Sequence, residues 1–210
     1  MTNTTKTMSG TTSNTAAIAP ADWEGFVREL RAHNPEALER FFDLYFDRVY
    51  AYVSKMVNDK HLSEDLTQDI FFNVYRRLDA YDSQRDILPW LYTIATNKVR
   101  DHWRSRRHAD SQREASLDYE DAAQNVPSEV DTPQVGMEEQ ERAVRVHAAV
   151  AALPKGMRET VVLRAFEGLP FRRIGEMLGR NEAAVRKRYS RALEILQMRL
   201  GPQMEPVLAA

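Results

Sequence analysis

Cations set into an amphipathic pattern near the end of this 210-residue chain carry its most specific chemistry. Ile174 and Leu178 are spaced for the inner side of one short helix. Val185, Tyr189, Ala192 and Leu196 are spaced for that of a second helix, expected over 181–196. Gly179 stands between them, where a positive φ angle is cheap only for glycine, and Gly175 is small where the two helices would cross. Asn181 can cap the second helix. Its outer side carries Arg186, Lys187, Arg188 and Arg191. A helix that packs with one stripe and presents bases on the other suits a DNA groove. An arginine paired bidentately to guanine discriminates by ~1–3 kcal/mol, whereas a phosphate contact gives affinity without sequence information. The plainer reading is a solvated basic face.

A second constellation lies at 97–107. Asn97, Arg100, Asp101, Arg104 and Arg107 recur at three- and four-residue intervals, which puts them on one helical face near Trp90, Tyr92 and Trp103. Bases among aromatics fit melted DNA, with phosphates on the cations and unstacked bases on rings. Trp90 and Trp103 individually are expected in the core. A third group, Asp65, Gln68 and Asp69, shares the outer stripe of another helix. Carboxylates at i and i+4 could touch a divalent cation, but no histidine or third carboxylate completes a site. His33, His61, His102, His108 and His147 are scattered. With no phosphate-cradling glycine loop, nucleophile elbow or base-oriented nucleophile, the sequence predicts no catalytic residue, cofactor or metal, and no enzyme.

The elements that must position these groups read as helices throughout. Asp22 caps a first helix through Trp23, Phe26, Val27 and Leu30, and Asn34-Pro35 ends it and opens a longer second one. Ser63 is the expected cap of a third helix whose inner stripe is Leu66, Ile70, Phe71, Val74 and Leu78. A polar loop at 82–86 precedes a fourth helix opened by Pro89. No segment alternates at period two, so no sheet is expected. The predicted fold class is all-α: two small helical domains, at 21–108 and 138–201, joined by an acidic flexible linker at 109–137, with the helix-turn-helix in the second. Residues 1–20 and 202–210 read as tails, the first lacking the apolar stretch of a secretory signal.

The net charge of −2 hides strong segregation, basic at 98–107, acidic at 110–141 and basic again towards the end. Local potential, not the total, governs nucleic-acid binding within a Debye length of ~8–10 Å. The absence of cysteine excludes disulfides and thiolate chemistry and fits a cytoplasmic location. No run of 18 apolar residues predicts a membrane span.

Several motifs, in order, resemble those of bacterial sigma factors of the extracytoplasmic-function (ECF, group IV) class of the sigma-70 family. They are Ala51-Tyr-Val, Ser63-Glu-Asp-Leu-Thr-Gln-Asp-Ile-Phe71, Trp90-Leu-Tyr-Thr-Ile-Ala95 with Asn97, Leu153-Pro-Lys-Gly-Met-Arg158, Glu167-Gly-Leu, and Val185-Arg-Lys-Arg-Tyr-Ser-Arg-Ala192. The resemblance implies a transcription initiation factor that binds core RNA polymerase and directs it to promoter DNA. It implies that Asp65, Gln68 and Asp69 face the clamp helices of the largest polymerase subunit. Tyr81, Ser83 and Arg85 of the loop, with Asn97, Arg100, Asp101 and Arg104, would melt and read the minus-ten element, where capturing a flipped base offsets an unstacking cost of a few kcal/mol. Arg172, Arg173, Glu182, Arg186, Lys187, Arg188 and Arg191 would meet the minus-thirty-five element. The acidic linker would thread towards the RNA exit channel, and an anti-sigma factor is a further implied partner. Thr67 is a second candidate point of control, by phosphorylation. Pro170-Phe171-Arg172-Arg173 departs from the acidic sequence usual before Ile174, making the first helix of the motif more basic. The competing reading is a stand-alone helix-turn-helix regulator that binds duplex DNA without polymerase.

Overall fold

A computed structural model describes residues 22–114 and 137–201, and every described element is a helix. The described residues form two compact units, divided between Leu44 and Tyr45. In the first unit, the Asp22 carboxylate accepts a hydrogen bond from the Gly25 backbone at 2.8 Å and starts α1 (Trp23–Arg31). Phe26, Val27 and Leu30 of α1 are buried, and the Arg40 guanidinium lies 5.4 Å from the Phe26 ring centroid. Asn34 accepts from the Ala37 backbone at 3.1 Å, opening α2 (Pro35–Val57).

The second unit begins within α2, where Val49, Tyr52, Val53 and Met56 form a fully buried stripe at helical spacing. Asn58, at φ 55°, turns the chain into α3 (Lys60–Arg76). The cap of α3 is Asp59, not Ser63: the Asp59 side chain accepts from the Leu62 backbone at 2.9 Å. Ser63 sits one turn inside, fully buried, with its hydroxyl donating to the Asp59 carbonyl at 2.5 Å. Leu66, Ile70 and Val74 bury the inner stripe, and α3 packs against α4 (Ile87–Glu114). Leu78, expected on the same helix, instead lies buried in a short 3-10 turn, Leu78–Ala80. Helix α4 opens two residues before Pro89 and runs past the expected domain boundary at 108. The rest of the expected linker, both tails and the Arg107 side chain lie outside the described residues.

After residue 136 the unit continues with α5 (Met137–Ala151), α6 (Lys155–Val161), α7 (Phe171–Leu178) and α8 (Glu182–Leu200). Helices α5, α6 and α7 all pack on α8. Between α6 and α7, residues Val162–Phe166 form a π-helical turn, which inserts one residue into the ladder and which no periodicity forecasts. The turn from α7 to α8 is the expected one. Gly179 takes φ 63°, ψ 41°, and a Cβ on Gly175 would lie 2.6 Å from the Arg180 carbonyl oxygen. No helix among the described residues is long and apolar enough to cross a membrane.

Candidate nucleic-acid interface

Helix α8 is fixed before it is charged. The Asn181 side chain accepts from the Ala184 backbone at 2.7 Å, and Val185, Ala192 and Leu196 are buried. That anchoring leaves Arg186, Lys187 and Arg191 exposed on the outer side. Arg186 is further oriented: its Nε donates to Glu182 at 3.1 Å, and its guanidinium lies 4.9 Å from the Phe171 centroid. Arg164 sits at 4.9 Å from the same ring, and Tyr189 meets it edge-on at 5.4 Å. Phe171 thus orders a helix-face cation through its π system, a role that its sequence position does not announce. Arg188 departs from the outer-face expectation. It is half-buried, and its Nη1 donates to the Gly156 carbonyl of α6 at 3.4 Å. On α7, Arg172 and Arg173 lie 3.4 Å and 2.8 Å from Glu176. The hydrogen bond from Arg173 leads in holding the Glu176 carboxyl below its ordinary range.

The α4 group divides. Asn97, Asp101 and Arg104 are exposed, with Arg104 and Asp101 3.4 Å apart. Arg100 is half-buried and engaged: its Nε donates to Glu159 Oε1 at 2.5 Å and its Nη2 to Oε2 at 2.6 Å. That pairing is the main reason the Arg100 pKa is raised. Trp103 is in the core, as expected, with the Lys155 ammonium 5.0 Å from its ring centroid, whereas Trp90 is half-buried against Tyr81, centroids 5.1 Å apart. Tyr81 is only 2% exposed, and its hydroxyl donates to the Arg85 carbonyl. Its ring therefore braces the loop from beneath, while Ser83 is half-buried and Arg85 is exposed beside Asp82 at 3.0 Å.

On α3, Asp65 and Gln68 are exposed, and Asp69 is exposed with its carboxylate 2.7 Å from Lys98 Nζ. Phe72 and Tyr75, 60% and 41% exposed, continue the Gln68 face by one and two turns. The i+4 and i+7 spacing from Gln68 is the sequence signal that could have added them. No group of three or more His, Asp or Glu side chains among the described residues could hold a metal ion. Glu159 was not singled out by the sequence, and Glu167 was named only as part of the Glu167-Gly-Leu motif, with no partner assigned. Glu167 accepts from the Tyr92 hydroxyl, and burial pushes its carboxyl above the ordinary range.

Comparison with known proteins matches residues 41–109 to Sigma-70 region 2 and residues 143–196 to Sigma-70, region 4. The chain is 34% identical over 168 residues to the RNA polymerase sigma factor CarQ of Myxococcus xanthus, covering 79% of this chain and 90% of that protein. It is 30% identical to the RNA polymerase sigma-H factor of Pseudomonas aeruginosa, covering 78% and 88%. The fold resembles that of the sigma factor RpoE of Bartonella quintana, solved with the anti-sigma factor NepR. There the TM-score is 0.62 at 20% identity, over 78% of this chain and 96% of that one.

Proposed function

The chain belongs to the ECF group of the sigma-70 family of RNA polymerase sigma factors, and from that premise we propose how its faces divide the work of promoter-specific initiation. The observation that carries the reading is the capped, anchored α8 with Arg186, Lys187 and Arg191 on its open side, inside the segment matching region 4. This helix enters the major groove of the minus-thirty-five element. Arg186, held by Glu182 and Phe171, is the base-reading group, because a pre-ordered guanidinium loses little entropy on binding. Lys187, Arg191, Arg172 and Arg173 grip phosphates, and Arg188 tightens α8 on α6.

The loop at 82–86 and the exposed side of α4 form the minus-ten surface, with Ser83, Arg85, Asn97, Asp101 and Arg104 towards the DNA, Arg100 joining them, and Tyr81 bracing the loop. Asp65, Gln68 and Asp69, extended by Phe72 and Tyr75, dock on the clamp helices of the largest polymerase subunit. Carboxylates there fix register and exposed aromatics supply buried apolar area. The protein works in the cytoplasm without chemistry of its own, and an anti-sigma factor restrains it. The stand-alone regulator has no observation that favours it. Competition for core polymerase tests the docking face: Asp65→Lys with Phe72→Ala should weaken binding about tenfold or more. Unchanged competition by a folded double variant would remove α3 from the interface.

A further inference from the structure

One ion pair in the second unit joins two helices to which the proposed function gives different partners. Asp69 of α3 lies 2.7 Å from the ammonium of Lys98 in α4. Successive residues turn about 100° around a helix, so Lys98 stands on the flank of α4 beside the exposed Asn97, Asp101 and Arg104, and Asp69 shows that this flank is turned towards α3. His102 and Arg106 follow on the same flank at four-residue intervals. His102 is half-buried there. Burial first, then the charges of Arg106, Lys155 and Lys98, hold its pKa below its ordinary 6.5, against the pull of Asp59 at the start of α3. A basic strip at 98, 102 and 106 thus runs alongside the exposed carboxylates of Asp65 and Asp69. We propose that this strip belongs to the polymerase-docking surface, with Lys98 and Arg106 meeting carboxylates of the clamp helices beside the bases that Asp65 and Asp69 meet.

Position and sign both favour polymerase over DNA. A strand laid along Asn97 and Arg104 follows a line about 100° around the helix from Lys98, and Asp69 draws the ammonium further towards α3. A partner that covers Asp69 therefore also meets the Lys98 ammonium. A partner carrying bases alone would be repelled by Lys98 and Arg106. One that sets bases over α3 and acids over the flank of α4 satisfies both strips. An ammonium already held by one carboxylate still has N–H donors for a second. Two parallel strips of opposite sign also fix orientation, since turning the partner end for end sets like charges against each other. The inference rests on the docking of α3 proposed above, and it adds α4 to that surface.

Full-length variants whose helical circular dichroism matches the parent's can compete with fluorescently labelled parent for core RNA polymerase, without DNA. Lys98→Glu and Arg106→Glu should each weaken competition about three- to tenfold. Lys98→Gln, which adds no repulsion with Asp69, should weaken it in the same direction by less. Pairing Asp69→Lys with Lys98→Asp separates a partner contact from an internal brace. The swap rebuilds the ion pair, so restored competition would overturn the proposal, and a direct contact predicts no restoration. In a second readout, holoenzyme assembled with saturating Lys98→Gln or Arg106→Glu protein should bind a fork-junction DNA carrying a minus-ten element with the parent's affinity and salt slope. Competition unchanged in the Lys98 and Arg106 variants but lost in Asp65→Lys would overturn the proposal and leave the α3 reading standing. Reduced DNA affinity and salt slope with intact competition would overturn it as well, and would give the strip to phosphates. Competition unchanged in every variant, Asp65→Lys included, would contradict the docking of α3 itself and the strip with it.

Discussion

At Thr67 a hydroxyl is fully buried and has no hydrogen-bond partner among the described residues. A kinase could not reach it without opening α3, so the residue is a packing element and its modification is not the control point that the sequence suggested. An unpaired buried hydroxyl costs about 1–3 kcal/mol of desolvation. Thr67→Val keeps the shape and removes that group. It should raise the unfolding free energy in urea by about 1 kcal/mol and leave core-polymerase binding intact. A loss of comparable size would mean that the hydroxyl is bonded after all. The same scale decides Tyr81. A ring 2% exposed, with its hydroxyl tied to the Arg85 carbonyl, serves the loop rather than the base.

At the scale of elements, α7 and α8 are coupled through Phe171, whose ring centroid lies 4.9 Å from the guanidinium groups of both Arg164 and Arg186 and which meets Tyr189 edge-on. Phe171→Leu keeps the apolar volume but removes the π faces. Holoenzyme carrying it should lose about two- to fivefold in affinity for a minus-thirty-five element, as one exposed cation–π contact of ~0.5–1 kcal/mol requires. Base preference at the Arg186 position should relax, while the slope of affinity against salt stays unchanged, since no phosphate contact is lost. A changed slope with unchanged preference would place Arg186 on the backbone instead. Helical periodicity made α7, the Gly179 turn and α8 readable to within a few residues, because apolar spacing and a left-handed glycine are local signals. The start of α3 was misplaced because Asp59 and Ser63 are both good caps, and only the carboxylate's reach to the Leu62 backbone separates them. The end of α4 was misplaced because the chain turns polar after Trp103 without any helix-breaking residue.

Across the whole second unit, the contacts joining α2 and α4 to α6 and the π-helical turn had no sequence signature. Glu159 is an isolated carboxylate whose partner, Arg100, lies 59 residues away, and the Glu167-Gly-Leu motif does not reveal that its carboxylate meets Tyr92, 75 residues away. The second unit also carries a pH dependence. Burial first, then the charges of Lys55 and Arg158, hold the His147 pKa below its ordinary 6.5. The native state thus binds this proton less readily than the unfolded chain. The stability that neutral His147 supports is complete above pH 6.5 and is lost as pH falls below it. His102, depressed by burial and by Arg106, Lys155 and Lys98, adds a slope of the same sign. Glu167, raised chiefly by burial and set among Tyr92, Lys55 and Arg48, adds one of opposite sign above its ordinary 4.5. The difference between the parent and His147→Gln isolates one group. The parent's thermal midpoint should fall more steeply than the variant's as pH drops from about 7 to about 5.5. Parallel profiles would remove His147 from the linkage. The central claim is that this chain directs polymerase through the α8 face. Transcription in vitro, with core RNA polymerase and a library of promoter fragments, tests it most directly. Defined start sites should appear only with the protein present, and Arg186→Ala should weaken them and relax the sequence shared by their upstream elements. Polymerase that initiates no differently with and without the protein would contradict the account.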